Sequence, residues 1–334
     1  MGWRRSVSFG VLAMSLVVVA LNQVPASAAT GPTADYRFLN TRTSSAGTPP
    51  ALTDLIGCDP TICPTPNPAN SFATEKVDGR KVPVLTFPTD NGVSLAPTTG
   101  VIANDSYTIV ALFRLSTITG YRRVIDFLDG ASDSGVYFYN GQLLFYPVQG
   151  AGTTTIAANR YVQVVLTRDA STDQVAGYVN GVQQWAFADT SDIAVIDSNN
   201  TLNFFRDNLT GASHEDSAGA VARITLYNGA LSASQVAALT PLYPAPTVGT
   251  GVSSGAPGIS VQVTGANFGP KEKVKLTFQD SAKVKTTLGS FKTDTTGAFS
   301  GTIVVPSGAA AGAATIMAKG ATSGLKFNAS FSVT

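Results

Sequence analysis

The stretch that decides the fold is VQVVLTRDASTDQVAGYVNG, residues 162–181. Apolar side chains recur at every second position from residue 162 to residue 166, which is the period of a half-buried strand. The stretch ends in Asn180-Gly181, a dipeptide that supplies the positive φ values of a type I′ hairpin turn. It therefore predicts antiparallel strands joined by tight turns.

The same pattern extends in both directions along the chain. Alternating apolar runs recur, and Asn-Gly pairs return at 140–141 and 228–229. One helical signal stands out: Ser232 and Gln235 form a capping-box pattern, which predicts a helix of about two turns. Because a parallel βαβ fold would need a helix between most strands, residues 30–240 are predicted to form an all-β, antiparallel domain.

The composition limits the function classes. The chain has 334 residues, with 22 Lys and Arg against 21 Asp and Glu, and 44% of its residues are hydrophobic. This length and hydrophobic content predict roughly two or three folded domains rather than a disordered chain. A formal charge of +1 leaves no excess positive charge to hold a phosphate backbone, so the sequence argues against nucleic acid as a partner.

Charge and composition divide the chain into two modules. Residues 245–334 carry eight Lys and three acids, whereas residues 1–244 carry 14 basic and 18 acidic residues. Residues 241–258 are rich in Pro, Gly, Ser and Thr, which predicts a linker. Short alternating apolar runs follow through residues 259–334, and their spacing predicts a smaller immunoglobulin-like β-sandwich.

Lysines of the second module fall mainly on the polar phase of its predicted strands or in turns: Lys271, Lys273, Lys275, Lys283, Lys285 and Lys292. Two interpretations are open. Lysine protects the edge of a sheet from pairing with another chain. A positively charged module also attracts an anionic wall polymer or surface.

The N-terminal residues have the features of a secretory signal peptide, predicted for residues 1–29. Arg4 and Arg5 form a positive start, residues 9–21 an apolar run, and Ala26-Ser27-Ala28 a small-residue cleavage site. An apolar run of about 13 residues is too short to span a bilayer. We therefore expect a secreted, extracellular protein with no stable membrane insertion.

The two cysteines of the chain, Cys58 and Cys63, have four residues between them. In an exported chain such a pair forms a disulfide, because the compartment is oxidising. The only histidine, His214, lies far along the sequence, so a zinc site lacks ligands. We predict a disulfide that closes one small loop.

Five segments of the first module are similar to those of a known family: Tyr36-Arg37-Phe38, Tyr121-Arg122-Arg123, residues 164–169, Tyr178-Val179-Asn180-Gly181 and residues 222–227. Together they resemble a bacterial laminin G-like domain of the concanavalin A-like lectin/glucanase superfamily. The resemblance implies a jelly roll of two packed antiparallel sheets. The second module resembles the IPT/TIG or other immunoglobulin-like domains through residues 263–269 and 304–309.

The carboxylates do not match the usual glycosidase pair. The only glutamates are Glu75, Glu215 and Glu272. The Glu-x-Asp-x-x-Glu pattern of hydrolases with the jelly-roll fold is missing, and Asp126 and Asp129 lie in a turn-like stretch. A Gly-x-Ser-x-Gly motif at 251–255 lies in the predicted linker, with no helix pattern after it. We therefore predict no catalytic residues and keep a polysaccharide-active hydrolase as the third alternative.

An acidic loop offers the one metal site that the sequence suggests. Asp207, Asn208, Glu215 and Asp216 carry hard oxygen ligands of the kind that Ca²⁺ takes. The laminin G-like resemblance implies Ca²⁺ at the rim of the jelly roll, with Asp207 as the natural ligand. The alternative is a polar turn capped by Asp207.

Aromatic and cationic side chains near predicted strand ends are the candidate ligand contacts: Tyr121, Arg122, Arg123, Phe205 and Arg206. Sugar rings stack on aromatic faces, and Arg binds carboxylates or sulfates through two parallel hydrogen bonds. The alternative places the aromatic rings in the core and pairs the arginines on the sheet surface.

These features favour a secreted, non-catalytic binding protein with lectin-like recognition of a glycan or cell-surface ligand, assisted by Ca²⁺. The alternative is a structural or adhesion module that binds cell-envelope proteins. The fold alone does not decide between them, because one fold serves many functions.

Overall fold

The computed structural model describes five segments of the chain: residues 31–57, 67–77, 80–208, 215–239 and 245–334. The predicted signal peptide at 1–29, the predicted Cys58–Cys63 disulfide and His214 lie outside these segments. Within them, no helix is both long and apolar enough to cross a membrane.

The first domain consists of strands and one short helix. In chain order they are β1 (Ala34–Tyr36), β2 (Thr53–Leu55), β3 (Ser71–Val77), β4 (Arg80–Phe87), β5 (Gly92–Leu95), β6 (Tyr107–Leu115), β7 (Tyr121–Asp126), β8 (Gly135–Tyr139), β9 (Gln142–Tyr146), β10 (Val162–Asp169), β11 (Gln174–Val179), β12 (Val182–Ala188), β13 (Leu202–Phe204), β14 (Gly219–Asn228) and α1 (Ala233–Ala238).

Two antiparallel sheets form this domain. The eight-stranded sheet has the order β12-β11-β10-β6-β14-β4-β3, with β1 paired to β14, and the six-stranded sheet has the order β2-β5-β13-β7-β8-β9. The core lies between them, and Ile109, Ala111 and Phe113 of β6 belong to it as their alternation predicts. Val110, on the other face of β6, packs in a cluster with Val236 of α1. The helix therefore covers part of the outer face of the larger sheet.

The predicted turns form where strands follow on both sides. Asn180-Gly181, with φ values of 49° and 80°, joins β11 to β12, and Asn140-Gly141 joins β8 to β9. Asn228 instead ends β14 and leads into α1. The capping box is present, because the Ser232 hydroxyl accepts from Gln235 N and the Gln235 side chain accepts from Ser232 N.

The second domain is a smaller sandwich with its own core. Its strands are β15 (Thr247–Thr250), β16 (Ser254–Gly255), β17 (Ser260–Ala266), β18 (Lys273–Gln279), β19 (Lys285–Lys292), β20 (Phe299–Val304), β21 (Gly312–Gly320) and β22 (Lys326–Val333). They form a three-stranded sheet, β15-β17-β20, and a five-stranded sheet, β16-β22-β21-β18-β19. The all-β class with two sandwiches is thus confirmed.

The start of the second domain differs from the sequence prediction. β15 and β16 lie inside residues 241–258, where composition predicted a linker. β15 pairs with the end of β17, and Val248 packs into the second core. These two strands are short and bury few side chains, so their Gly, Ser and Thr content resembles that of a linker. The described second domain therefore begins by Thr247 rather than at residue 259.

Candidate functional site

Four tyrosines form a cluster on the outer face of the six-stranded sheet: Tyr121 of β7, Tyr137 and Tyr139 of β8, and Tyr146 of β9. Tyr121 lies opposite Tyr139 in the β7–β8 ladder, and their ring centroids are 4.5 Å apart. The ring of Tyr146 lies 6.0 Å from that of Tyr121. Tyr139 and Tyr146 are 40% and 38% exposed. This tyrosine cluster therefore presents aromatic surface to solvent.

Arg123 supports the tyrosine cluster from beneath. Its guanidinium carbon lies 5.0 Å from the centroid of the Tyr137 ring, and its side chain is fully buried. Nη2 donates to the carbonyls of Ser132 and Ser134 at 2.7 Å. Nη1 lies 3.5 Å from Oδ1 of Asp207. Arg123 therefore fixes the loop before β8 and joins it to the segment after β13.

Three carboxylates meet at this junction: Asp133 before β8, Asp207 after β13 and Glu215 before β14. One oxygen of each lies within 4.8 Å of those of the other two. Glu215 N donates to Oδ2 of Asp207 at 3.1 Å, and the Tyr137 hydroxyl donates to the carbonyl of Asp133 at 3.1 Å. This acidic triad is therefore tied directly to the tyrosine cluster.

Burial and the neighbouring carboxylates disfavour the charged forms of Asp207 and Glu215 in the acidic triad. Burial raises the pKa of Asp207. Burial also raises the pKa of Glu215, and the carboxylates of Asp207 and Asp133 raise it further. A divalent cation would oppose both effects. The donor set fits Ca²⁺, whose ~6–8 ligands are carboxylate, carbonyl and water oxygens.

Two family models match consecutive regions of the chain. Residues 87–237 match a laminin G-like model described as the concanavalin A-like lectin/glucanases superfamily. Residues 246–333 match the macroglobulin-like domain. The chain carries a laminin G-like domain followed by a macroglobulin-like domain. The immunoglobulin-like fold expected of the second module is confirmed, and its matching family is macroglobulin-like.

Among solved structures, the chain is similar to domain 4 of AbnA, an extracellular arabinanase from Geobacillus stearothermophilus in complex with arabinotriose. That likeness has 16% identity and a TM-score of 0.49, and covers 62% of this chain and 97% of the other. The chain is also similar to a Trypanosoma rangeli sialidase in complex with the inhibitor DANA, with 21% identity and a TM-score of 0.37. That likeness covers 51% of this chain and 29% of the sialidase. The likeness to the CBM40 domain of Ruminococcus gnavus IT-sialidase has 16% identity and a TM-score of 0.34. It covers 41% of this chain and 84% of the CBM40 domain. No curated protein sequence matches the chain. At TM-scores below 0.5, none of these three likenesses bears on its ligand.

The four predicted metal ligands do not form one site in the structure. Asp207 and Glu215 belong to the acidic triad. Nδ2 of Asn208 donates to Oδ1 of Asp133 at 2.5 Å, so Asn208 supports a triad member through its side chain. The sequence does not reveal Asp133 as a member of this site, because Asp133 lies in a distant loop whose position depends on the β7–β8 ladder.

Asp216, the fourth predicted ligand, takes part in a different interaction. Its carboxyl is buried and forms a hydrogen bond with the carboxyl of Asp90. Burial and then this hydrogen bond raise the pKa of Asp216 to about 8. Asp216 is therefore paired with the half-buried Asp90 and is not a member of the acidic triad.

The residues predicted to contact a ligand also lie in different parts of the structure. Tyr121 lies in the tyrosine cluster, and Nη1 of half-buried Arg122 donates to the Tyr121 carbonyl at 2.9 Å. Arg123 is buried below the cluster, so it supports the site without reaching a ligand. Phe205 is 1% exposed and stacks on Phe87 at 4.6 Å in the core. It is therefore not available to a ligand, as the alternative interpretation expected.

Arg206 lines a cavity of about 260 Å³ that reaches Asp207 of the acidic triad, and its walls include Asp126, Asp129 and Asn203. Oδ2 of Asp126 accepts from the backbone N–H of Gly130 at 2.6 Å. Nδ2 of Asn203 donates to Oδ1 of Asp129 at 3.1 Å. Both carboxylates therefore fix the turn after β7.

Proposed function

We propose that the protein is an exported, non-catalytic binding protein whose laminin G-like domain binds a glycan on the tyrosine cluster, with Ca²⁺ in the acidic triad. The observation that supports this proposal is the joining of exposed rings to a set of carboxylates through Tyr137 and Arg123. Sugar rings stack on aromatic faces, and Tyr139 and Tyr146 offer such surface.

The two parts of the site have separate roles in this proposal. The exposed tyrosines supply apolar contact to a sugar ring. Asp133, Asp207 and Glu215 would hold Ca²⁺, which supplies a positive charge for the triad and coordination positions for sugar hydroxyls. Because Arg123 fixes the loop that carries Asp133, the buried guanidinium positions both parts.

A glycan array with the full chain, in Ca²⁺ and in EDTA, tests this proposal. We expect at least one glycan to bind in Ca²⁺. Tyr139→Ala with Tyr146→Ala should weaken that binding about fivefold or more, because two aromatic contacts are worth ~1–3 kcal/mol. The control replaces the exposed Val182 and Val304 with Ala and should bind as the unchanged chain does.

Calorimetric titration with Ca²⁺ tests the cation separately. Asp133→Asn and Asp207→Asn should each abolish the heat of binding, and Asp169→Asn, outside the triad, should leave it unchanged. A chain that binds no glycan in Ca²⁺ or in EDTA would contradict the lectin-like role. A chain that binds glycans without any heat from Ca²⁺ would contradict only the cation site.

A protein partner is the second candidate, because exposed tyrosines are also enriched in protein interfaces. A pull-down from cell-envelope extract distinguishes the two. Defined proteins whose capture is unaffected by competing sugars would support an adhesion module. Turnover of a polysaccharide that Asp126→Ala or Glu215→Ala abolishes would instead support the hydrolase alternative and overturn a non-catalytic role.

A further inference from the structure

Six exposed lysines share the outer face of the five-stranded sheet in the macroglobulin-like domain: Lys273, Lys275, Lys285, Lys292, Lys319 and Lys326. Their common face follows from the register, because residues directly opposite in antiparallel strands point to the same side. Lys319 lies opposite Lys275 on one side and Lys326 on the other, and Lys273 lies opposite Lys292. We call this surface the lysine face.

No carboxylate neutralises the lysine face. The strands β18, β19, β21 and β22 contain neither Asp nor Glu. In the part of the chain that the structure describes, no ion pair involves a lysine. The six positive charges are therefore left to solvent or to a partner.

The three acids of this domain bind backbone groups instead. Glu272 is buried and accepts from the backbone N–H groups of residues 269, 322 and 323. Asp280 is buried and accepts from those of residues 284 and 310. Asp294 accepts from those of residues 296 and 298 within its own turn. None of the three forms an ion pair with a lysine of the described residues.

Protection of a sheet edge explains only part of this arrangement. Lys285 and Lys292 lie on β19, which is an edge strand. Lys273, Lys275 and Lys319 lie on β18 and β21, which have paired strands on both sides. Like charges directly opposite each other destabilise a sheet. A row of lysines across interior strands therefore calls for an anionic partner.

We propose that the lysine face binds a linear anionic polysaccharide that carries repeated carboxylate, sulfate or phosphate groups. Neighbouring strands place the lysines ~4.8 Å apart across the sheet and ~7 Å apart along a strand, which suits a chain with closely spaced charges. Lysine acts as a point charge, so the face selects charge density rather than one planar group.

The outward side chains among the lysines favour a polysaccharide over nucleic acid. Between them lie Thr277, Ser290, Met317 and Asn328, and no aromatic side chain of the described strands shares this face. Single-stranded nucleic acids are held by aromatic rings on which bases stack. The lysine face lacks that contact and offers a flat, polar surface.

Binding of the full chain to polygalacturonate, with neutral dextran as the reference polymer, tests the proposal. The unchanged chain should bind polygalacturonate and not dextran. Affinity should fall between about 50 mM and about 300 mM NaCl, because binding releases counterions. Lys275→Gln, Lys319→Gln and Lys326→Gln together should weaken binding about tenfold or more and reduce the slope of log affinity against log salt by roughly two.

Lys76→Gln with Lys81→Gln is the matched control. These two exposed lysines also lie directly opposite each other, but in the β3–β4 ladder of the other domain. This control should leave binding unchanged. Lys275→Arg, Lys319→Arg and Lys326→Arg together should retain binding, because arginine keeps the positive charge. Unfolding curves should show that all variants fold.

Three outcomes would overturn the proposal. One is a chain that binds polygalacturonate no better than dextran, and another is an equal loss in the Lys76 and Lys81 control. The third is tighter binding of single-stranded DNA or of vesicles with anionic lipids than of polygalacturonate, which would assign the face to another class of partner. The glycan array with the tyrosine variants tests the tyrosine cluster, and polygalacturonate with the lysine variants tests the lysine face, so either proposal can fail alone.

Discussion

At the residue scale, Arg123 is the side chain on which the candidate site depends. Its guanidinium is buried, donates to two carbonyls and lies 3.5 and 3.7 Å from the carboxylates of Asp207 and Asp126. Several partners in different directions require the planar fork of arginine. Lysine at this position would leave carbonyls without donors.

We therefore expect Arg123→Lys to destabilise the laminin G-like domain by about 2–4 kcal/mol, because buried polar groups lose their partners. Chemical denaturation monitored by tyrosine fluorescence measures the change. Arg160→Lys, at a solvent-exposed position of the same domain, serves as the control. A shift no larger than that of the control would show that Arg123 does not organise the loop.

The carboxyl pair of Asp216 and Asp90 makes stability depend on pH. The pKa of folded Asp216 is raised to about 8 from 3.8, chiefly by burial. The folded state therefore keeps a proton that the unfolded state loses, and stability falls as the pH rises through this window. The contribution is complete at low pH and is lost above about pH 8.

Asp216→Asn removes this titration. The variant should match the unchanged chain near about pH 4 and exceed its stability near about pH 9 by on the order of 1–3 kcal/mol. Unfolding free energies measured in EDTA over this range test the sign. A variant that is less stable at about pH 9 would contradict the assigned proton.

At the element scale, α1 is held by its cap. The six-residue helix is too short to be stable alone, and Val236 packs with Val110 and Val165 of the larger sheet. Ser232→Ala should therefore destabilise the first domain by about 1 kcal/mol, because it removes the capping bond. Ser198→Ala, at an exposed position of the same domain, is the control for thermal unfolding.

Repulsion within the lysine face should lower the stability of the macroglobulin-like domain. Lys319→Glu places a negative charge between Lys275 and Lys326 and replaces two repulsions with two attractions. We expect it to stabilise the macroglobulin-like domain by about 0.5–1 kcal/mol at low salt, with the gain reduced at ~1 M salt. Thermal unfolding at both salt concentrations tests this. Destabilisation at low salt would show that the lysines do not repel one another.

At the scale of the whole molecule, each domain has a separate core. A described contact between them is the hydrogen bond from Nη1 of Arg37 to the carbonyl of Thr295, 3.2 Å long. Two cores of this kind unfold as separate units when little joins them. The acidic triad and the lysine face lie in different units, so their ligands should act on different transitions.

Calorimetric scans with and without Ca²⁺ should therefore show one transition that Ca²⁺ raises and one that it leaves unchanged. Saturation at about 100 times Kd stabilises the binding domain by ~2.7 kcal/mol. Asp133→Asn should abolish this shift and leave the second transition in place. A shift that persists in Asp133→Asn would place the cation elsewhere.

The sequence predicted the parts of the molecule that local patterns specify. Alternation in residues 162–166, the Asn-Gly turns at 140–141 and 180–181 and the Ser232 capping box all depend on neighbours along the chain, and the structure confirms each of them. Phe205 shows the limit: its position after a strand did not reveal that its ring packs in the core.

Distant residues required the tertiary structure. Asp133, Asp207 and Glu215 meet because the β7–β8 connection lies against the β13–β14 connection, and Lys275, Lys319 and Lys326 share a row because of strand register. Periodicity and turn chemistry act over a few residues, so the amino-acid order by itself determined an all-β chain of two sandwiches. Strand pairing brings together residues far apart in the chain, so only the folded structure decided which carboxylates form a triad and which lysines form a face.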